Sequence, residues 1–183
     1  PQVSVIWRGD AKLGPLEPLI KLKAANFDTD LDEVKGQRIY QEFGINLPIT
    51  RNYGFLNTSL MHRRIQYRLK TPDSKQRRNE SVSSWLGRVE GRLEFERDAE
   101  FFGLSVTQTL EPRVQYLFAG YDDHSGIPDF DSAELTFSYR QLFRNTRFSG
   151  YDRLADANQL SLGVTSRLID ARTGKERVSI SLG

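Results

Sequence analysis

The chain has 183 residues, with 26 Lys and Arg against 24 Asp and Glu, and no cysteine. That length suits one domain. The near-neutral charge offers no concentrated basic surface for nucleic acid, and a chain without thiols has neither disulfides nor thiolate metal sites. No run reaches the roughly 18 apolar residues of a spanning helix, which leaves half-apolar barrel strands open. Residues 1–7 lack a basic start followed by an apolar stretch. A membrane barrel needs export, so the chain reads as mature or truncated.

Residues 2–7 and 18–27 alternate weakly. Residues 37–47 set Ile39, Phe43, Ile45 and Leu47 against Arg38, Tyr40, Glu42 and Asn46. Alternate residues of a strand point to opposite faces, so each such segment reads as a strand with one apolar and one polar face. Residues 55–69 begin with Leu56 and Leu60 in phase and then shift to Ile65, Tyr67 and Leu69. The one-residue shift predicts a β-bulge near His62 to Arg64, or else a strand that rises above the membrane. Residues 84–97 put Trp85, Val89, Leu93 and Phe95 opposite Arg88, Glu90, Arg92, Glu94 and Glu96.

The clearest pattern runs over residues 102–118. Phe102, Leu104, Val106, Leu110, Val114, Tyr116 and Phe118 share one phase, and Thr107, Thr109, Glu111, Arg113 and Gln115 the other. Such length exceeds the 5–6 residues usual for soluble strands. It suits the roughly 9–11 residues of a tilted membrane strand. Residues 158–168 and 176–182 repeat the pattern with Leu160, Leu162 and Val164, then Val178, Ile180 and Leu182.

The connections alternate as well. Residues 9–17, 48–54, 98–100 and 170–175 read as short. Residues 28–35, 71–81 and 119–157 read as longer or more polar, and the last contains a hairpin or helical turn near 134–139. Bacterial outer-membrane barrels have short turns on one side and long loops on the other. The expected fold is therefore all-β: an antiparallel up-and-down meander of about eight long strands, part of a larger transmembrane β-barrel. Residues 1–183 would form a partial barrel domain with a long extracellular loop at about 119–157. A soluble β-sandwich or lipocalin-like barrel also alternates and stays open as an alternative.

Reactive chemistry is sparse. His124 and Ser125 with Asp122, Asp123, Asp129 and Asp131 could be drawn as a hydrolase or Ca²⁺ site, but the spacing matches no EF-hand loop. The bland reading is a solvated loop, and neither an enzyme, a cofactor nor a metal is expected. Lys75, Arg77 and Arg78 read as a charged loop tip that could meet lipid phosphates. Pro112 lies in the apolar phase of a central strand, where it predicts a bulge or weakened pairing. Arg88, Glu90, Arg92, Glu94, Glu96, Glu111 and Arg113 are the candidate site. Charges of this density need a hydrated lumen or a polar plug.

Thr109-Leu-Glu-Pro-Arg-Val-Gln-Tyr-Leu-Phe118 resembles a segment of the LPS-assembly protein family, LptD. So do Ile127-Pro-Asp-Phe-Asp-Ser132, Gln141-Leu-Phe-Arg144, Ser149-Gly-Tyr-Asp-Arg153, Asp156-Ala-Asn-Gln159 and Gly163-Val-Thr-Ser-Arg167. The resemblance is dense from Thr109 to Gly183; earlier residues match as strands of the right rhythm. It implies a many-stranded barrel of the Gram-negative outer membrane. Such a barrel holds the plug lipoprotein LptE and receives lipopolysaccharide from the periplasmic bridge protein LptA through an N-terminal jelly-roll domain. It delivers that lipid to the outer leaflet through a lateral gate. The jelly roll and the family's cysteines are not visible here, so the chain reads as an internal barrel fragment with the gate outside it. A general porin or nutrient channel, or a soluble lipid-binding β-domain, are the functional alternatives.

Overall fold

A computed structural model describes residues 1–9, 14–28, 34–70 and 78–183. Nine strands form one antiparallel sheet: β1 Gln2–Arg8, β2 Glu17–Phe27, β3 Gly36–Arg51, β4 Gly54–Leu69, β5 Asn79–Leu93, β6 Phe95–Phe101, β7 Leu104–Ala119, β8 Ala157–Asp170 and β9 Glu176–Leu182. The order is β1-β2-β3-β4-β5-β7-β8-β9, with β6 also on β7. Each strand lies beside its chain neighbours, as in an up-and-down barrel wall. β1 and β9 are the two edges of the open sheet. No helix among the described residues is long and apolar enough to cross a membrane, which says nothing of strands.

β5 and β6 are one stave. Their pairing with β7 keeps the same register on both sides of Glu94, from Arg92↔Arg113 to Phe95↔Leu110. That register places Leu93 and Glu94 against Pro112 and Glu111. Proline has no N–H to give to a ladder, so pairing lapses there and resumes without a shift. The sheet therefore has eight staves in all, the number that alternation predicts. The expectation at Pro112 is met as weakened pairing and not as a bulge. A register shift does occur between Leu168 and Ile169 in β8.

Three boundaries differ from the sequence reading. The turn predicted at residues 98–100 lies in β6 instead, because this hairpin turns at Phe102 and Gly103. Both residues have positive φ, 48° and 74°. That is the two-residue turn whose twist matches the flanking strands, and glycine at its second position carries no steric penalty. β3 runs on through Pro48, which pairs with Asn57, to a tight turn at Asn52 and Tyr53.

The third difference concerns β4. No bulge occurs at His62 to Arg64: its registers with β3 and β5 are unbroken throughout. The apolar phase changes because the surroundings change on both sides of the sheet. Trp85, Tyr116 and Phe118 mark one level of the apolar face and Phe95 another, all exposed. Trp85 to Phe95 is eleven residues; at about 3.3 Å per residue and a 35–45° tilt they span about 25 Å, the height of an outer-membrane apolar band. His62 pairs with Trp85 and packs on its ring at 4.9 Å. Beyond that level the outward phase carries Arg64, Gln66 and Arg68, while Ile65, Tyr67 and Leu69 are buried on the other face. The buried set forms a core with Tyr40, Val82, Ile127 and Leu154, the last two from loop 120–156.

Burial is otherwise inverted relative to a soluble sheet. Trp85 is 58% exposed and Leu162 60%, while Glu90 is 2% and Gln115 0%. A soluble sandwich would cover the former with a second sheet. Among the described residues there is one sheet, and the apolar side chains on that face are left exposed. The strand ends Arg8 and Glu17, Arg51 and Gly54, Phe101 and Leu104, and Asp170 and Glu176 lie on one rim, and Phe27 and Gly36, Leu69 and Asn79, and Ala119 and Ala157 on the other.

Leu162 lies near the middle of the apolar band. Replacing it with Arg should destabilise the lipid-embedded protein by about 2–4 kcal/mol in denaturant titration. An unchanged midpoint would place that face in water.

Candidate functional site

The polar face of β5, β7 and β8 carries an ion-pair network. Arg88 and Arg113 both close on Glu90, with Arg113 Nε donating at 2.7 Å. Arg92 pairs with Glu94 and reaches Glu111 at 3.6 Å, and Arg167 approaches Glu111 from β8 at 3.5 Å. Thr109 Oγ1 donates to Glu111 at 3.1 Å. The cross-strand registers bring these residues together: Arg92 sits opposite Arg113, and Glu90 opposite Gln115. Glu90 and Glu111 are buried, and their desolvation is offset only because each has two cations near.

Six of the seven candidate charges therefore fall into two adjacent clusters, Arg88–Glu90–Arg113 and Arg92–Glu94–Glu111, while Glu96 is exposed and makes no ion pair among the described residues. Arg167 was not among the candidates, although its polar phase in β8 signalled it. Loop 120–156 also contributes. Asn145 accepts from Arg88 at 2.9 Å, and the Phe143 ring lies 4.0 Å from the Arg113 guanidinium. Phe143 belongs to a 3₁₀ turn, Tyr139–Phe143, and Glu134 bridges to Phe148. The brief alternation at residues 134–139 signalled local order there.

A second cluster fastens this loop to the wall. Arg38 of β3 is almost fully buried. Its guanidinium grips Asp131 through two bonds of 2.7 and 2.6 Å and also donates to Asp152. Tyr67 Oη donates to Asp152 as well, and the amides of Phe130 and Asp131 donate to its other oxygen at 2.9 and 2.7 Å. Phe130 stacks on Phe27 at 4.1 Å. Gly150 has φ 66°, and a Cβ there would meet the Asp131 carbonyl at 2.2 Å. Only glycine lets the two loop strands approach so closely.

Burial pushes the Asp152 carboxyl up. Burial also works against the Asp131 carboxylate, but hydrogen bonds from Arg38 and the Tyr151 amide outweigh it and hold that carboxyl at about 2.

The residues that could be drawn as a hydrolase have structural duties. His124 Nδ1 faces the Asp122 carbonyl at 2.8 Å and Nε2 accepts from the Leu154 amide at 3.1 Å, which fixes the Nδ1–H tautomer. Asp122 accepts from the Ser83 amide, Asp123 from Ser125 and Asp129 from the Ser132 amide. Lys75 and Arg77 lie outside the described residues, and Arg78 precedes β5.

A family model described as "LPS transport system D", LptD, matches residues 1–183. The chain belongs to the LptD family. It is 43% identical over 163 residues to the LPS-assembly protein LptD of Pseudomonas aeruginosa strain UCBPP-PA14, covering 84% of this chain and 18% of that protein. The namesake of Alcanivorax borkumensis SK2 is 37% identical over 151 residues, 82% of this chain and 20% of its own. That of Salmonella typhimurium LT2 is 38% identical over 181 residues, 93% and 23%. The chain thus spans about a fifth of these relatives' length. LptD is a transport and assembly family, and nothing favours the porin alternative. Two of the LptD-like segments, residues 127–132 and 149–153, supply Asp131, Gly150 and Asp152 to the Arg38 cluster.

Removing one partner of a buried pair costs about 3–5 kcal/mol. Asp131→Asn and Arg38→Met should each expose loop 120–156 to protease without dissolving the strands; protection equal to wild type would contradict the latch. The pH response has a definite sign. A carboxyl held at about 2 contributes fully above its ordinary value of 3.8 and loses that contribution as pH falls toward 2. Protonating Asp152 first does not undock the loop, because its raised value favours the docked state. A spin label at Ser125 should stay immobile at pH 5 and become mobile between about 4 and 2.

Proposed function

We propose that this chain forms an arc of an outer-membrane barrel that inserts lipopolysaccharide into the outer leaflet. In this reading the apolar face meets lipid hydrocarbon, and the rim of short turns faces the periplasm. Loop 120–156 enters from the extracellular rim and folds onto the lumenal face. The polar network of Arg88, Glu90, Arg92, Glu94, Glu111 and Arg113, with Glu96 beyond it, lines the lumen beside the plug lipoprotein LptE. The lipid arrives from LptA through a periplasmic domain of the whole protein.

One observation carries the reading: large apolar side chains are exposed on one face while paired charges are buried on the other. That arrangement suits a wall between hydrocarbon and a hydrated interior. Family membership supports the cargo, because the relatives are named LPS-assembly proteins. The chain's part in transport is physical and not catalytic. The polar face offers hydrogen bonds to sugars and to a plug, and the apolar face matches acyl chains. Mixed charge signs favour a plug-binding surface over an ion-selective ring.

The full-length protein carrying Arg88→Glu and Arg92→Glu should capture at least tenfold less LptE in co-purification and lower lipopolysaccharide at the cell surface. Undiminished capture by a correctly inserted barrel would refute the assignment of the plug to this face.

A further inference from the structure

Between loop 120–156 and the polar face of β2–β5 lies a cavity of about 670 Å³, within the roughly 300–1,000 Å³ range of small-molecule sites. Five cations line it, Lys21, Arg63, Arg88, Arg144 and Arg153, against the single carboxylate of Glu42. Arg88 is answered by Glu90 and Arg153 leans on Asp129 at 3.7 Å. Three cations and one carboxylate remain, an excess of two positive charges.

Arg63 is the sharpest feature. It is only 5% exposed, yet among the described residues it makes no ion pair. Its Nη2 makes one long bond, 3.4 Å to the Ala155 carbonyl, and its Nε finds no partner among the described residues. Glu42, its cross-strand neighbour, is engaged by the Tyr40 hydroxyl. A buried guanidinium with no direct ion pair is costly, and its fork of donors fits a planar or tetrahedral oxyanion. Arg144 stands exposed at the cavity's loop side, also without an ion pair among the described residues.

We propose that this cavity binds the phosphate monoester of a sugar. A phosphate monoester carries about −1.5 to −2 at neutral pH, which balances the excess; a carboxylate would leave one positive charge over. The volume holds a pyranose beside the phosphate, and the Tyr151 ring between Lys21 and Lys23 gives it an aromatic wall. Such a group could come from the glycan of the transported lipid or from a free phosphosugar. The inference deepens the proposed function but rests on loop docking alone.

Calorimetry on the full-length protein in detergent, titrated with glucose 1-phosphate, inorganic phosphate, acetate and glucose, tests it. Glucose 1-phosphate should bind saturably and glucose should not. Arg63→Gln and Arg144→Gln should each weaken binding at least tenfold. Inorganic phosphate binding as tightly as the phosphosugar would overturn the proposal in favour of free phosphate; weaker binding would support a phosphorylated sugar, and competition by lipopolysaccharide would assign it to the lipid's glycan, its absence to a free phosphosugar. Acetate binding as well as phosphate, or unchanged affinity in both variants, would overturn the proposal. Should Arg63→Gln fail to assemble, the exposed Arg144 decides alone, since unchanged affinity in its variant would overturn it equally. A barrel that binds the phosphosugar but exports no lipid would separate failure of the transport reading from failure of this one.

Discussion

Hydrocarbon offers no hydrogen bonds, so every backbone N–H and C=O in a membrane wall must find its partner in the neighbouring strand. That constraint organises the rest of the molecule. β3 and β4 pair from Gly36↔Leu69 to Arg51↔Gly54 without interruption, and β7 and β8 from Val106↔Asp170 to Ala119↔Ala157. Unbroken registers keep every side chain in phase. One face can then be apolar across many strands and the other polar. Where a donor is missing, at Pro112, the pairing lapses for two residues and the register survives.

The opposite face meets a different demand. Most of its charges are answered beneath the loop: Glu90 collects Arg88 and Arg113, and Arg38 collects Asp131 and Asp152, while Arg63 is left for the cavity. Buried pairs of this kind add little net stability, but breaking them is expensive. Their effect is placement. They hold a 37-residue connection (120–156) against the wall, and that docking encloses the cavity around Arg63. The same strands thus serve two solvents and two interiors, with the change at the level of His62 and Trp85.

Much of this was legible in the chain. Two-residue periodicity revealed the strands, their faces and the sides of the long connections, because each signal is local. Six charges of the two clusters could be named because they share phases on adjacent strands. Most of what was missed has one origin. At Ile65, Tyr67 and Leu69 the phase change read as a bulge or as a strand rising above the membrane; β4 has no bulge, and a loop some sixty residues downstream supplies their cover. Arg38 looked like an ordinary polar-phase residue, although its partners stand 93 and 114 positions away. Asp131 looked like part of an acidic loop, or a metal ligand. No local pattern reveals a contact of that range. Phe102 looked like the start of a strand because a turn residue can keep the strand's hydrophobic phase.

The central claim is that one face of this sheet meets lipid and the other a polar interior. Single spin labels at Leu110, Val114, Leu160 and Leu162, and at Thr109, Ser161 and Thr165, in the full-length protein in bilayers test it most directly. Collision rates with oxygen should be high at the first four positions and low at the other three. Equal rates at both sets, or the reverse order, would contradict the account.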